Sequence, residues 1–378
     1  MSCQNTSTIM ARNHDVEHII NAAACMGRYG YGTTMPKRFA MLVTTDVHNG
    51  RKQLYNAIVY LNEMDALDVG ICLGDMQGGN FSQNDGSWYY MAVNDSKKSF
   101  YTTIGNHDCG NSTNKMLSGT KDEVFDKFIR TTCKIMGIPD IQKTYYSVNF
   151  DEYKITLIVM DNYMSPEDQD KNGDFIIFHG AECLDQKEVD WLVETLFNVP
   201  QDYQVILARH SYPDSAVKVD CNWTQENGGI SDSFVPFYGK SELVPDVINA
   251  WMNGTTLKKS YVPLEKADIL PTLTVNADFS ARGKGVFISY LCGHVHRDMI
   301  GRSAVSPDQN IICFAATAND DWQNYHCDLP RMRGTKAEDC LTVFAVDTKK
   351  HRIHLVRVGS NYTVDCVERT VISIEYSV

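Results

Sequence analysis

Residues 286–296 read VFISYLCGHVH. The apolar run is the length of a buried strand; it stops at Gly293, and two histidines follow one residue apart. His-x-His on an extended segment points both rings to one side, because side chains alternate with period two. The same grammar recurs four times upstream. FAMLVTT at 39–45 ends in Asp46-Val47-His48, VGICL in Gly74-Asp75, SFYTTI in Gly105-Asn106-His107-Asp108, and QVILA in Arg209-His210. Ligands in open α/β sheets bind beyond the carboxyl ends of the strands. Five segments spread over residues 46–296 are therefore expected to converge on one rim.

Asp46, His48, Asp75, Asn106, His210, His294 and His296 together offer carboxylate, amide and imidazole donors and no thiolate. Such a set suits manganese, iron, zinc or nickel better than calcium. It is too large for one tetrahedral ion that keeps an open position. It suits two ions at the ~3.5–4 Å separation of two-metal hydrolases, with one carboxylate shared. Taken singly, Asp-x-His, Gly-Asp or Gly-Asn-His-Asp is an ordinary turn or loop. Their joint order, each after an apolar strand, is what carries the reading.

The rest of the chain frames this site. It has 378 residues and a net charge of −12, which argues against nucleic acid held on a basic face. Hydrophobic residues make up 43% and charged residues 22%, so the chain is neither disordered nor a coiled coil. No apolar run approaches the ~18–20 residues of a membrane span. Leu54, Ala57, Ile58, Leu61 and Met64 line one helix face, and Val189, Leu192, Val193 and Leu196 another. Strands alternate with helices through the middle of the chain, whereas NIICFAA, LTVFAVD and HRIHLVRV near the end suggest antiparallel pairing. Residues 1–38 read as an extension with a short helix at Val16–Met26, and 211–285 as an insertion over the core with a helix at Val244–Met252. The twelve cysteines contain no CxxC pair, and Cys72, Cys292 and Cys313 sit in apolar runs as reduced core residues. With no apolar h-region at the start, a cytoplasmic location is expected.

In order and in residue type, these blocks resemble the calcineurin-like metallophosphoesterase superfamily: Asp-x-His, Gly-Asp, Gly-Asn-His-Asp, a lone His and Gly-His-x-His. CLDQKEVDWLVETL also resembles a helix that many members carry before the lone-His strand. The resemblance implies a four-layer α/β/β/α sandwich with two central mixed sheets. It implies one metal on Asp46, His48, Asp75 and His296 and a second on Asp75, Asn106, His210 and His294, with Asp75 bridging. His107 would stand near the leaving group and Asp108 would hold its imidazole. The implied activity is hydrolysis of a phosphate mono- or diester, with metal-bound hydroxide attacking phosphorus. Met76-Gln77-Gly78-Gly79 follows the Gly-Asp where purple acid phosphatases place a tyrosine ligand, so an iron–tyrosinate centre is not expected.

The expected partner is a small phosphorylated substrate, with neither nucleic acid nor membrane. The oligomeric state and the metal's identity stay open. Loops 77–97, 109–120 and 211–285 are candidates for the substrate rim, with Trp88, Tyr89, Trp223 and Tyr238 available for stacking or for packing. Arg209 and Arg282 are the arginines placed to approach the pocket, while Asp161 and His179 read as supporting residues. A serine hydrolase lacks its Gly-x-Ser-x-Gly elbow. Gly239-Lys240-Ser241 imitates a Walker A ending without its first glycine. A non-catalytic metal-binding scaffold on the same fold is the rival from another class, and the complete ligand set speaks against it.

Overall fold

The computed structural model describes residues 38–48, 50–79, 81, 86–110, 118–138, 141–161, 184–213, 217–218, 242–262, 271–294, 296, 298–317, 339–359 and 371–378. In chain order its main elements are β1 (Phe39–Thr44), α1 (Arg51–Glu63), β2 (Val69–Cys72), α2 (Ser87–Asn94) and β3 (Phe100–Thr102). A short 3₁₀ turn at Asn106–Cys109 and a helical stretch with a π turn between Lys121 and Met136 lead to β4 (Tyr146–Phe150) and β5 (Ile155–Val159). Then come α3 (Gln186–Asn198), β6 (Gln204–Ala208), β7 (Val217–Lys218), α4 (Leu243–Asn253), β8 (Thr256–Tyr261) and β9 (Leu273–Asp278). The series ends with β10 (Val286–Cys292), β11 (Met299–Arg302), β12 (Asn310–Cys313), β13 (Cys340–Asp347), β14 (Arg352–Gly359) and β15 (Val371–Glu375).

Two mixed sheets form, ordered β15-β14-β13-β1-β2-β3 and β4-β5-β6-β10-β12-β11-β7. In the first, β1, β2 and β3 run parallel and β13–β15 continue antiparallel. In the second, β5, β6, β10 and β12 are parallel. The period-two alternation of side chains assigns the layers. Leu157, Ile206 and Ile312 face inward and join the core of the first sheet. Ile158, Val205, Leu207, Ile311 and Cys313 point the other way, toward α3, α4 and the β8–β9 hairpin. A bulge between Phe287 and Ser289 shifts the register of β10 against β6. Ile288 and Leu291 consequently share the inner face although they are three positions apart, while Phe287 and Tyr290 share the outer one. Leu54, Ala57, Ile58 and Leu61 of α1 pack onto the first sheet. The result is the expected helix–sheet–sheet–helix sandwich.

Most expected elements form near their expected bounds, and the departures have local causes. β1 stops at Thr44 because Thr45 turns to a different partner: its N–H donates to Thr317 Oγ1 (3.0 Å) and its carbonyl accepts from Thr317 N (2.8 Å). Residues 87–94, placed in a rim loop by the sequence reading, form α2, which buries Trp88, Tyr89, Ala92 and Val93. Within 211–285, α4 appears at Leu243–Asn253, and the unanticipated β8–β9 hairpin follows it. Both contribute to the outer core through Val247, Trp251, Leu273 and Val275. The helix expected at Val16–Met26 lies outside the described residues, as do His179, Trp223, Tyr238 and Gly239-Lys240-Ser241. No described helix is long and apolar enough to cross a membrane.

Candidate metal centre

The loops after β1, β2 and β3 supply one wall. Asp46 and His48 leave β1 with their backbone N–H groups bonded to the carbonyls of Gly74 (3.0 Å) and Asp75 (2.9 Å), which locks the first loop onto the second. The 3₁₀ turn after β3 brings His107 N to Asp75 Oδ1 at 2.8 Å. The loops after β6 and β10 supply the other wall. Gly293 N bonds to His210 O (2.7 Å), and His294 N donates to both Asp46 carboxylate oxygens (3.2 and 3.0 Å), joining the two sheets at this rim. The join needs a glycine at 293, since a methyl there would collide with Thr45 Oγ1 and lie 2.7 Å from Asp46 Oδ2.

Backbone strain is concentrated at the same place. Among the described residues, seven that are not glycine have positive φ, and five of them are Asp46, His48, Asp75, His294 and His296, at 48°, 43°, 53°, 66° and 56°. Asp and His tolerate this region better than most residues, but each such conformation still carries a cost. Paired one residue apart, the left-handed turns aim the side chains of Asp46 with His48, and of His294 with His296, into a common space.

Two groups of ligating atoms result: Asp46, His48, Asp75 and His296, and Asp75, His210 and His294, each mutually within 4.8 Å. Asp75 belongs to both. Asn106 joins the second group, its Oδ1 lying 3.1 Å from His294 Nδ1. All seven ligand residues expected from the sequence therefore meet here. The two carboxylates divide their oxygens alike. Asp46 Oδ2 accepts from Thr45 Oγ1 (2.7 Å), whereas Oδ1 faces His296 Nε2 at 3.2 Å and His210 Nε2 at 3.8 Å. Asp75 Oδ1 accepts from His107 N, whereas Oδ2 faces His210 Nε2 at 3.2 Å and His48 Nε2 at 3.8 Å. His210 Nδ1 lies 2.6 Å from Leu73 O, a contact that requires the proton on Nδ1 and turns Nε2 toward the centre.

This donor set fits a pair of cations. His48 Nε2 and His296 Nε2 stand 3.1 Å apart beside Asp46 Oδ1, so the three atoms share one small volume in which a proton or a bound cation must lie between them. The protonation balance carries the same signature. Burial opposes ionisation of Asp46, but His296 and His210 outweigh it and hold the carboxyl at about 2. Burial is likewise outweighed at Asp75, which His210 and His107 hold well below the usual carboxylate range. His210 is raised to about 9, the charges of Asp75 and Asp46 overcoming its burial, so its Nε2 holds a proton that a bound cation would replace. Burial takes His48 down to about 4 and His294 to about 3, so both are neutral donors at pH 7.

Residues 39–298, well over half of the chain, match the family model described as calcineurin-like phosphoesterase. The chain belongs to that family. Among solved structures, this calcineurin-like phosphoesterase is similar to a dimetal phosphatase from Danio rerio, at 10% identity and a TM-score of 0.54 over 90% of this chain and 99% of that one. It also matches a purple acid phosphatase from yellow lupin seeds, at 11% identity and a TM-score of 0.42 over 90% of this chain and 54% of the other. At such identities the likeness shows the fold alone. No protein with a curated description matches the chain.

Several expectations are corrected. Asp108 does not spend its carboxylate on the imidazole of His107. Its Oδ2 accepts from Asp75 N and Gly105 N (both 2.9 Å), and its Oδ1 from Met76 N (2.8 Å) and Gln77 N (3.2 Å). All four lone-pair positions are thereby filled by backbone donors. Burial and the charge of Asp75 raise the pKa of Asp108 against the pull of those donors. Arg282 does not reach the pocket either: it bonds the carbonyls of Val199, Gly283 and Lys284 and stacks on Trp251, 5.0 Å from the ring centroid. Arg209 follows β6 into the interior and is fully buried. Asp161 is buried at the end of β5, its N–H on Glu188 Oε1 at 2.9 Å, in a supporting position. Trp88 and Tyr89 are core residues, with Tyr89 Oη 2.7 Å from Thr102 Oγ1. Sequence reasoning missed Thr45, which steadies Asp46, and Gln77, which bonds the His107 turn. A threonine directly before the Asp-x-His was the available signal for the first; nothing local marks the second.

Proposed function

We propose that this chain hydrolyses phosphate mono- or diesters of small molecules at a dinuclear metal centre. The observation that supports this most is the pair of overlapping ligand groups with Asp75 common to both. Two divalent ions bound there supply Lewis-acid polarisation of a phosphoryl group and activation of a water. Asp46, His48, Asp75 and His296 would hold one ion, and Asp75, Asn106, His210 and His294 the other. Manganese, iron, zinc and nickel all suit these donors.

The chain's own residues then do the following. Asp46 and Asp75 each anchor one carboxylate oxygen in the protein and turn the other inward, so the donors are set before substrate arrives. His107, with 20% of its side chain exposed, stands at the accessible side with Nε2 3.9 Å from Asp75 Oδ2. It is placed to pass a proton from Nε2 to the leaving oxygen, a contribution of roughly 10²–10⁴ in rate. Asp108 fixes the loops after β2 and β3 relative to one another. The six described cysteines are free thiols, which suits a cytoplasmic location.

The test is elemental analysis of the purified protein, with assays on p-nitrophenyl phosphate and bis(p-nitrophenyl) phosphate. Two ions per chain and turnover of at least one ester are expected. A protein that takes up none of the four metals, or one loaded with two ions and inert toward both esters, overturns the proposal; the second result would mark a metal-binding scaffold.

A further inference from the structure

The 75–77 loop holds the His107 peptide at both ends. Asp75 Oδ1 accepts its N–H at 2.8 Å, and Gln77 Nε2 donates to its carbonyl at 3.2 Å and to that of Asp108 at 2.9 Å. The link is reciprocal, because Gln77 N donates to Asp108 Oδ1. Gln77 is fully buried, and its Oε1 has no hydrogen-bond partner among the described residues. An unmet buried acceptor is costly, and an apolar side chain of similar shape would avoid that cost. The amide is thus held in place by its two donor contacts, both of which end on the turn that carries His107. No ligand in either metal group bonds to the Gln77 side chain, so its grip falls on the imidazole's support and not on the ions' donors.

We infer that Gln77 is a positioning residue for leaving-group protonation: it fixes the His107 turn so that the ring keeps its place beside Asp75. This rests on the reading of His107 as the proton donor. It makes a prediction that the reading of His107 alone does not. Loss of Gln77 should selectively impair esters whose alcohol needs a proton to leave, and should spare those whose alcohol leaves as a stable anion.

The experiment compares Gln77→Met, Gln77→Glu, His107→Asn and Gln77→Met/His107→Asn on an alkyl ester and a p-nitrophenyl ester, in whichever of the mono- or diester series the protein hydrolyses. Methionine cannot donate, and glutamate can donate only by taking up a proton, for one bond in place of two; both keep the length of glutamine. For each Gln77 variant, kcat on the alkyl ester should fall about 10–100-fold, part of the general-acid contribution. On the nitrophenyl ester it should stay within about threefold, with two ions still bound by elemental analysis. The double variant should be no slower on the alkyl ester than His107→Asn alone, because the two residues act as one unit. Equal loss on both esters, loss of metal, independent losses in the double variant, or wild-type kcat on the alkyl ester would each overturn the role of Gln77. If His107→Asn itself shows no preference between the esters, the proton-donor reading falls first, in a variant that leaves Gln77 intact, and the role of Gln77 falls with it.

Discussion

Asp75 and Glu188 are both fully buried carboxyl groups, one at the metal rim and the other in the outer helical layer, and burial acts on them alike. Their outcomes are opposite. Asp75 is surrounded by His210, His107 and His48 and is held well below the carboxylate range. Glu188 has Asp161 and Asp185 for neighbours, Lys121 offsets little of their effect, and its carboxyl is pushed well above the ordinary value. Lys121 is engaged by Asp185 at 2.6 Å. A buried carboxyl is therefore neutral unless groups able to take up positive charge surround it, and the rim is the place where this chain gathers them. The same rim takes up five left-handed non-glycine residues, while the outer layer packs Trp251, Val247 and Leu273 in ordinary periodic order.

The sharpest way to break this contrast is Asp75→Asn. One amide in place of the shared carboxylate removes charge from both ligand groups at once. Metal affinity and hydrolysis should fall together by more than the roughly 10–100-fold cost of losing an outer-shell partner. Two ions per chain in the variant would show that Asp75 is not shared. Trp251→Ala probes the other region. Trp251 is fully buried, and truncation should lower unfolding free energy by about 3–5 kcal/mol. The kcat/KM of the protein that remains folded should not change; a drop at saturating metal would mean that the outer layer shapes the rim.

Glu188→Gln gives a smaller effect with a definite sign. The folded-state pKa of Glu188 is raised, so the native protein binds a proton that the unfolded chain releases first. Its contribution to stability is complete below the unfolded value near 4.5 and is lost as pH rises toward the folded value. Glutamine stays neutral and keeps an acceptor for Asp161 N. Urea midpoints of variant and parent should nearly coincide at pH 4.5, and the variant should lead increasingly by pH 8. A constant gap between the two would remove the titration from the explanation.

How much of this was legible follows the range over which each residue acts. The seven candidate ligands could be read as a group because each follows an apolar strand and carries its chemistry in its own side chain. The two sheets followed from runs such as QVILA and VFISYLC, although the bulge at 287–289 leaves no mark in the composition. Asp108 was misread because adjacency to His107 looks like partnership. The 3₁₀ turn instead swings its carboxylate back onto the 75–77 loop, a direction that sequence spacing does not specify. Gln77 works on carbonyls 30 and 31 positions away, which any residue type supplies. Thr317 meets Thr45 across 272 positions. The β8–β9 hairpin escaped notice because β8, TLKKSY, is exposed along most of its length and shows no apolar alternation.

Thr45 gives the finest test, because a single hydroxyl separates the rim from ordinary core packing there. Thr45 is fully buried, and its Oγ1 donates to Asp46 Oδ2 at 2.7 Å, on the oxygen opposite the histidines. Its backbone bonds to Thr317 do not involve that hydroxyl hydrogen, so Thr45→Val keeps the shape and the strand end while removing one donor. If the rim depends on holding each carboxylate by its outer oxygen, metal affinity should fall about tenfold, the lower end of what outer-shell partners contribute. Thr45→Ser should restore it, since serine returns the hydroxyl without the methyl. Competition titration with a metal-binding dye would resolve a shift of that size. Equal affinity in the valine variant would mean that the two bonds from His294 N to Asp46 are enough to set the carboxylate, and that the strained Gly-His-x-His turn, not the threonine, orients the first ligand.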